Sequence, residues 1–244
     1  MGGHPVQSLK SPPLSHSDPI HLHPTAPLAE RVLLPGDPGR ALALAQALLV
    51  EPRMFNHNRG LWGYTGAAPD GEPLTIQSTG MGGPSAAIVF SELIELGVRR
   101  AIRVGTCGAL AESLALGDLV IAREAICADG ASRALGGGER ASADHALTDA
   151  LVEHAPDASQ GTIVSVDLFY GGGEERTQHP DAVAVEMEAA ALFAKGVAAS
   201  VAVACLLTVS DTFDAHGARV RIDDERLLKA AERMGRAAIA ALTE

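Results

Sequence analysis

The feature of this sequence that most restricts its fold is a series of short apolar runs that alternate with helical stretches. The clearest runs are RVLLPG at 31–36, GTIVSV at 161–166 and VAVACLLTVS at 201–210. A strand with one face in water alternates polar and apolar residues, whereas these runs have no polar face. We therefore predict strands buried on both faces, in an α/β domain with a mostly parallel sheet flanked by helices.

The remaining segments fit one domain over residues 19–244, preceded by a flexible extension at 1–18 that is rich in Pro, Ser, Gly and His. Residues 54–78, with β-branched and aromatic residues between glycines, predict a meander. Further strands are predicted at 101–105, 117–126 and 182–187, and helices at 41–49, 84–97, 188–196 and 223–242. Loops are predicted at Ala131–Arg140 and Gly171–Gly173.

Composition excludes several classes of protein. The 244 residues carry a formal net charge of −11, which argues against nucleic acid as the main partner. No apolar run reaches the ~18 residues of a membrane span, and the first residues lack the apolar core of a secretion signal. Cys107, Cys127 and Cys205 are predicted to be buried free thiols. We therefore expect a soluble cytoplasmic protein without a membrane partner.

Glycine-rich turns follow several of the predicted strands, and ligands of open α/β sheets bind at such strand ends. The turns are PGDPGR at 35–40, STGMGGPS at 78–85, VGTCGAL at 104–110 and YGGGEER at 170–176. Glycine lets backbone N–H groups approach an anion, although it also serves simply to make a tight turn. Arg40 and Arg103 favour the anion, because an arginine that ends an apolar strand is costly without a negative partner. An internal salt bridge of Arg103 is the alternative.

Seven motifs, in order and at compatible spacing, carry a more specific resemblance. They are VLLPGDPGRA (32–41), NRGLWGYTG (58–66), STGMGGPSAAIV (78–89), IRVGTCGAL (102–110), VDLFY (166–170), VEMEAAALF (185–193) and TVSD (208–211). From about Pro19 onward the chain resembles the hexameric nucleoside phosphorylase family, which includes purine nucleoside, uridine and methylthioadenosine phosphorylases. The resemblance implies a mixed, twisted and partly barrel-like sheet.

The resemblance also implies roles for individual residues. It implies a phosphate site made by Gly36, Arg40, Arg59, Arg103 and Thr106. It implies ribose contacts from His21, Met81, Met187 and Glu188, and base contacts from Phe169, Glu186 and Asp211. Glu186 has two alternative interpretations, as a charge at a helix N-terminus or as a support for its neighbours. His23 is an alternative to His21.

Two of these residues are expected to act outside their own chain. The resemblance implies that Arg59 enters the phosphate site of a neighbouring subunit and that His21 reaches the neighbour's ribose 5′-hydroxyl. The minimal active unit is then a homodimer with shared sites, and the family suggests a hexamer built from three dimers.

The reaction that the resemblance implies is the reversible phosphorolysis of a purine (deoxy)ribonucleoside, which gives the free base and (deoxy)ribose 1-phosphate. Its chemistry suits these residue types. Breaking a glycosidic C–N bond develops oxocarbenium character on the ribose and negative charge on the leaving base. A phosphate held by arginines is positioned as the nucleophile, and a carboxylic acid such as Asp211 protonates N7 of a purine. An arginine is expected to assist this acid; of Arg219, Arg221 and Arg226, we favour Arg226.

The sequence favours a purine over a pyrimidine. Uridine phosphorylases of the family carry a Gln and an Arg shortly after the Phe-Tyr pair, whereas Gly173 stands here at the Gln position and Arg176 is shifted by one. Uridine and methylthioadenosine phosphorylases, a nucleosidase that uses water, and a non-catalytic nucleoside-binding module stay as alternatives. Inorganic phosphate is expected as the co-substrate, with no other cofactor and no metal.

Overall fold

A computed structural model of the protein describes residues 19–170, 178–213 and 218–243. The extension predicted at 1–18 and the loop predicted at Gly171–Gly173 lie outside these residues. Across the described parts of the chain, no helix has both the length and the apolar composition that crossing a membrane requires.

The first part of the chain forms a strand, a helix and a meander. In order, these are β1 (Arg31–Leu34), α1 (Pro38–Leu48), β2 (Val50–Asn56), a 3-10 turn (Asn58–Gly60), β3 (Gly63–Ala67) and β4 (Pro73–Gln77). The helix begins three residues before the predicted start at 41. The reason is that Asp37 caps it by accepting a hydrogen bond from the Arg40 backbone N–H, with Pro38 in the first turn.

The rest of the chain alternates strands and helices, as predicted. In order, these are α2 (Gly83–Glu95), β5 (Arg100–Ala109), β6 (Leu119–Cys127), α3 (Gly130–Ala134), β7 (Arg140–Ser142), α4 (His145–His154), β8 (Ser159–Ser165), β9 (Ala182–Glu186), α5 (Ala189–Ala199), β10 (Ala202–Phe213), β11 (Arg219–Arg221) and α6 (Asp224–Thr243). The prediction of a loop over Ala131–Arg140 is wrong for its first residues, because α3 ends only at Ala134. Asp129 caps α3 there by accepting from the Ser132 N–H at 2.8 Å.

The described strands form one mixed sheet, part of which closes into a ring. Parallel pairings join β4, β1, β5 and β10, and a second parallel set joins β6, β8 and β9. Antiparallel pairings of β5 with β9 and of β10 with β6 complete a ring of β5, β10, β6, β8 and β9. The meander of β2, β3 and β4 extends the sheet beyond β1. The partly barrel-like sheet is therefore confirmed.

Both faces of the central strands are buried, which confirms the interpretation of the apolar runs. Along β10, Val203, Cys205 and Leu207 pack into a core with α2 and α5, whereas Ala204 and Leu206 pack into a second core with α1, α4 and α6. This alternation follows from the opposite directions of successive side chains in a strand. The three cysteines are buried free thiols, as predicted.

The long parallel pair β5–β10 brings the motif residues together. Its register runs from Ala202 opposite Arg100 to Val209 opposite Cys107, after which Asp211 lies opposite Gly108. The extra residue in β10 is a β-bulge, a device that redirects a side chain at the end of a strand. β5 thus carries Arg103, and the bulged end of β10 carries Asp211.

Candidate active site

Arg103 is the centre of the site. It lies on β5 and is 3% exposed. Its Nε donates to Glu186 Oε2 at 2.9 Å, and its Nη2 lies 2.5 Å from Glu188 Oε2. Burial lowers the pKa of Arg103, but Glu188 and Glu186 raise it, and the pKa ends above its usual range. The guanidinium is therefore held in its charged form inside the protein.

Glycines make the space that this side chain occupies. A Cβ at Gly105, two residues along the same face of β5, would come within 2.7 Å of Arg103 Nη2. A Cβ at Gly36 would lie 3.3 Å from the Gly80 carbonyl oxygen and 3.9 Å from Arg103 Nη1. The glycines of these turns thus allow a buried guanidinium and a close approach of the backbone.

The two carboxylates next to Arg103 have different surroundings. Glu186 accepts from the N–H groups of Glu188 at 2.9 Å and of Ala189 at 2.9 and 3.0 Å, and from Ser165 Oγ. Burial raises the pKa of Glu186, Arg103 opposes this shift and Glu188 adds to it, so that the pKa ends above its usual range. Glu188 bonds to the Gly82 N–H at 2.5 Å and to Arg103. Glu186 is therefore bonded on all sides by protein groups.

Arg40 completes what we call the anion cluster, namely Arg40, Arg103, Glu186 and Glu188. Burial has the largest effect on Arg40 and lowers its pKa. Asp37 and Glu188 raise the pKa and Arg103 lowers it, and the pKa ends below its usual range. Within the described residues, Arg40 Nη1 and Arg103 Nη1 are buried and have no hydrogen-bond partner. Two buried guanidinium donors without acceptors are costly, and an anion between them would supply the acceptors.

Two of the predicted ribose residues, Met81 and Met187, are chain neighbours of groups that belong to or bind this cluster. Met81, 87% exposed, lies in the turn between Gly80 and Gly82, next to the N–H that binds Glu188. Met187 is half-buried between the two carboxylates in the chain. Thr106 pairs in register with Thr208, and no hydrogen bond to Arg40 or Arg103 is found for it in the described part of the chain.

The residues predicted to contact the base, Phe169 and Asp211, lie with Arg219 and Arg221 in a second group, which we call the base end. Phe169 is 42% exposed, and Arg219 Cζ lies 4.2 Å from its ring centroid in a cation–π contact. Asp211 is buried, accepts from Ser210 Oγ at 2.6 Å and lies 3.3 Å from Arg221 Nε. Phe169 and Asp211 are thus both accompanied by arginines of one short strand, β11.

The chain also matches known proteins. Residues 30–243 match the model of the phosphorylase superfamily. This chain belongs to the phosphorylase superfamily. It is 39% identical over 205 residues to a purine nucleoside phosphorylase DeoD-type of Clostridium beijerinckii, covering 80% of this chain and 86% of that relative. Proteins of the same name from Alkaliphilus metalliredigens and Oceanobacillus iheyensis are 37% and 35% identical, covering 76% and 75% of this chain and 83% of each relative. The family resemblance is therefore confirmed.

In this phosphorylase-superfamily chain, Arg221 and not Arg226 lies beside Asp211. The antiparallel pairing of β10 with β11 puts Asp211 opposite Arg221. Arg226 lies in the first turn of α6, where its backbone N–H donates to Asp223 Oδ1 at 2.8 Å and its Nη2 donates to the Leu116 carbonyl at 3.2 Å. The choice of Arg226 among three candidates that spacing could not separate stays a prediction, and the register of β11 now favours Arg221.

Among the described residues, neither His21 nor Arg59 is found in contact with the anion cluster. The His21 Nδ1 atom lies 2.6 Å from Glu92 Oε1 on α2, and the His23 N–H donates to Asn56 Oδ1 at 2.8 Å. Arg59 is exposed on the 3-10 turn, with a left-handed backbone at φ 58°. Both predicted roles involve a neighbouring subunit, and these positions leave them as predictions.

Two residues that bond to predicted site residues were not predicted from the sequence, namely Ser165 and Glu92. Ser165 reaches Glu186 through the pairing of β8 with β9, and no local pattern points to it. Glu92 had a local signal: it lies on the buried face of α2 among Val89, Phe90 and Leu93. A glutamate on an apolar helix face needs donors to bond its carboxylate.

Proposed function

We propose that this protein is a purine nucleoside phosphorylase. It cleaves the C–N bond of a purine (2′-deoxy)ribonucleoside with inorganic phosphate and reversibly releases the free base and (deoxy)ribose 1-phosphate. The observation that carries the proposal is that the buried guanidinium atoms Arg40 Nη1 and Arg103 Nη1 have no acceptor among the described residues, while Nη2 of the same Arg103 lies 2.5 Å from Glu188. The relatives named purine nucleoside phosphorylase support the choice of substrate.

Phosphate is the nucleophile in this mechanism. Arg40 and Arg103 bind its oxygens, the backbone of the Gly36 turn approaches it, and Thr106 and the neighbour's Arg59 complete the site. Because Arg103 is already fixed by Glu186 and Glu188, little reorganisation is needed when the anion binds. The reaction needs no cofactor and no metal, since phosphate supplies the attacking oxygen.

The sugar is held on the other side of Arg103. Glu188, whose carboxylate is fixed by the Gly82 N–H and Arg103, accepts the 2′- and 3′-hydroxyls, while Met81 and Met187 contact the apolar face of the ribose. As the C–N bond breaks, positive charge develops on the ribose next to the bound phosphate and next to Glu188. Glu186 supports Arg103 and the first turn of α5; we propose this role for it in place of a contact with the base.

The leaving base needs a proton. Phe169 stacks on the purine, and the Asp211 carboxyl group transfers a proton to N7 as the electrons of the C–N bond move onto the base. Arg221, 3.3 Å from Asp211, stabilises the carboxylate that remains. A pyrimidine has no N7, so this arrangement favours purines.

The active assembly is a homodimer with shared sites, and three dimers form a hexamer. In the described part of the chain, His21 bonds to Glu92 and Arg59 is exposed, and neither contacts the anion cluster, which supports roles in a neighbouring site. The three buried free thiols agree with a reducing compartment, the cytoplasm.

The test is a panel of nucleosides incubated with and without phosphate. Inosine, adenosine, guanosine, uridine and methylthioadenosine are compared by release of base and by formation of sugar 1-phosphate. We expect phosphate-dependent release of purine bases and a large rise of the phosphate KM in Arg40→Ala. Equal cleavage without phosphate would make the protein a nucleosidase, and preferential cleavage of uridine or methylthioadenosine would assign it to another branch of the family. Binding without any cleavage would leave a nucleoside-binding module.

A further inference from the structure

Glu92 of α2 binds the N-terminal segment through four donors. Its carboxylate accepts from the N–H groups of Ile20 at 3.2 Å, His21 at 3.0 Å and Leu22 at 2.7 Å, and from His21 Nδ1 at 2.6 Å. The residue is 9% exposed. Burial raises the pKa of Glu92, but the bonds from His21 and Leu22 outweigh this effect, and the pKa ends below its usual range. The carboxylate is therefore kept ionised by one short stretch of chain.

These contacts fix the His21 ring as well as its backbone. Asn58 Nδ2 donates to the His21 carbonyl at 2.9 Å, and the next N–H, that of His23, donates to Asn56 Oδ1. An imidazole nitrogen that faces an ionised carboxylate carries the proton, so that the other nitrogen is an acceptor. Nε2 of His21 has no hydrogen-bond partner in the described ranges 19–170, 178–213 and 218–243, and the ring is partly exposed.

The position of Glu92 excludes a direct contact of His21 with the anion cluster of its own chain. Glu92 lies ten residues after Gly82, whose N–H binds Glu188, and ten residues of helix span ~15 Å. The imidazole bonded to Glu92 is therefore about two to three helical turns from the N–H group that binds Glu188.

We infer that Glu92 is a positioning residue that sets the tautomer and direction of His21, so that Nε2 accepts a hydrogen bond from the ribose 5′-hydroxyl in a neighbouring subunit's site. The inference rests on the proposed function, in which His21 serves the neighbouring ribose. It adds the residue that makes this histidine an acceptor, and with it the substrate class: nucleosides with a free 5′-hydroxyl.

The first test compares inosine with 5′-deoxyinosine at saturating phosphate. In the wild-type enzyme we expect kcat/KM to be about tenfold higher for inosine, the usual effect of one hydrogen bond. Glu92→Gln, His21→Ala and the double variant are each expected to abolish this preference while they retain turnover of 5′-deoxyinosine. Glu95→Gln, an exposed residue at the end of the same helix, is the matched control and is expected to keep the preference.

Any of three outcomes would overturn the inference. The first is a wild-type enzyme without a preference for inosine, and the second is a Glu92→Gln variant that keeps the preference that His21→Ala loses. The third is a Glu92→Gln variant in which kcat/KM falls equally for inosine and 5′-deoxyinosine, as expected for a merely structural residue.

A second measurement does not depend on the folding of Glu92→Gln. Nitrogen NMR of the wild-type protein labelled with ¹⁵N-histidine, with the His21 signal assigned by comparison with His21→Ala, reports which nitrogen carries the proton. We expect the proton on Nδ1, and a proton on Nε2 would overturn the inference. Cleavage of inosine that does not depend on phosphate would instead contradict the proposed function, and the NMR result would still test the role of Glu92.

Discussion

At one end of the site, Arg103 is 3% exposed and bonded to two carboxylates, while at the other end Phe169 is 42% exposed and lies under the guanidinium of Arg219. The anion cluster is built on β5, on the end of β9, on the residue that precedes α5 and on the first turn of α1. The base end is built on the end of β10, on β11 and on the segment after β8. It adjoins residues 171–177 and 214–217, which lie outside the described residues.

This difference separates the part of the reaction that every substrate shares from the part that distinguishes substrates. Every substrate of the proposed reaction carries a pentose and reacts with phosphate, and the groups proposed to bind these two are held by buried hydrogen bonds before any ligand arrives. The base varies, and the groups proposed to read it lie at strand ends and beside loops, where sequence change is tolerated best. Substitutions at the anion cluster should therefore affect stability and all substrates, and those at the base end should affect the choice of base.

The largest effect is expected from Arg103→Met. The change leaves Glu186 and Glu188 buried without their cation, and breaking a buried pair in this way costs about 3–5 kcal/mol. We expect this decrease in the free energy of unfolding, measured with urea, together with loss of phosphorolysis for every nucleoside. The double variant Arg103→Met/Glu186→Gln should regain part of the stability and none of the activity. A single variant as stable as the wild-type protein would contradict the buried pairing.

A smaller effect distinguishes the two carboxylates. Glu188→Gln should lower kcat/KM by about 100-fold, because a charge-assisted contact with the ribose hydroxyls is lost. Glu186→Gln is its matched partner and should lower stability more and kcat/KM less, since Glu186 is bonded by Arg103, Ser165 and the backbone of α5. Urea unfolding and steady-state kinetics of both variants check this order. The reverse order would show that Glu186 and not Glu188 contacts the substrate.

At the base end, the arginine that assists Asp211 can be identified. Arg221→Ala should lower kcat for inosine about tenfold, because the carboxylate formed by proton transfer loses its cation at 3.3 Å. Arg226→Ala, whose side chain bonds to Leu116 and Asp223, should stay within about twofold. Phosphate KM is expected to be unchanged in both variants. A tenfold loss in Arg226→Ala alone would restore the original choice from the sequence.

The smallest effect is expected from Arg219→Ala. A cation–π contact at an exposed site contributes about 0.5–1 kcal/mol, which corresponds to a change of up to about fivefold. We expect the KM for the nucleoside to change by up to this factor, with a different change for inosine than for adenosine. The free energy of unfolding should stay unchanged. Arg123→Ala serves as the control, because Arg123 is also exposed and its side chain bonds to Gln160 and Asp149. A change in phosphate KM would contradict the separation of the two ends.

The fold could be predicted well from the sequence because its strands are buried on both faces. That burial removes polar alternation from the runs at 161–166 and 201–210, and most predicted elements lie where they were expected. The closure of five strands into a ring was not predictable from periodicity, since the pairings of β5 with β9 and of β10 with β6 join distant parts of the chain. The prediction of a loop at Ala131–Arg140 did not take into account that Asp129 caps a helix.

The site could be predicted in part. An arginine two residues before a glycine at the end of an apolar strand pointed to Arg103, and the space above Gly105 explains the pattern. The internal salt bridge and the anion were posed as alternatives for Arg103. The structure shows the salt bridges with Glu186 and Glu188, while Nη1 has no partner in the described residues and is available to an anion. The arginine beside Asp211 depended on the register of a three-residue strand, which spacing alone does not determine.

The most direct test of the account follows the fate of the sugar. The purified wild-type protein is incubated with inosine in phosphate-free buffer and then with added phosphate, and the products are followed by ³¹P and ¹H NMR. We predict no cleavage in the first stage and, in the second, one ribose 1-phosphate for each hypoxanthine released. Release of hypoxanthine with free ribose at the same rate in both stages would contradict the claim that Arg40 and Arg103 deliver phosphate to the ribose.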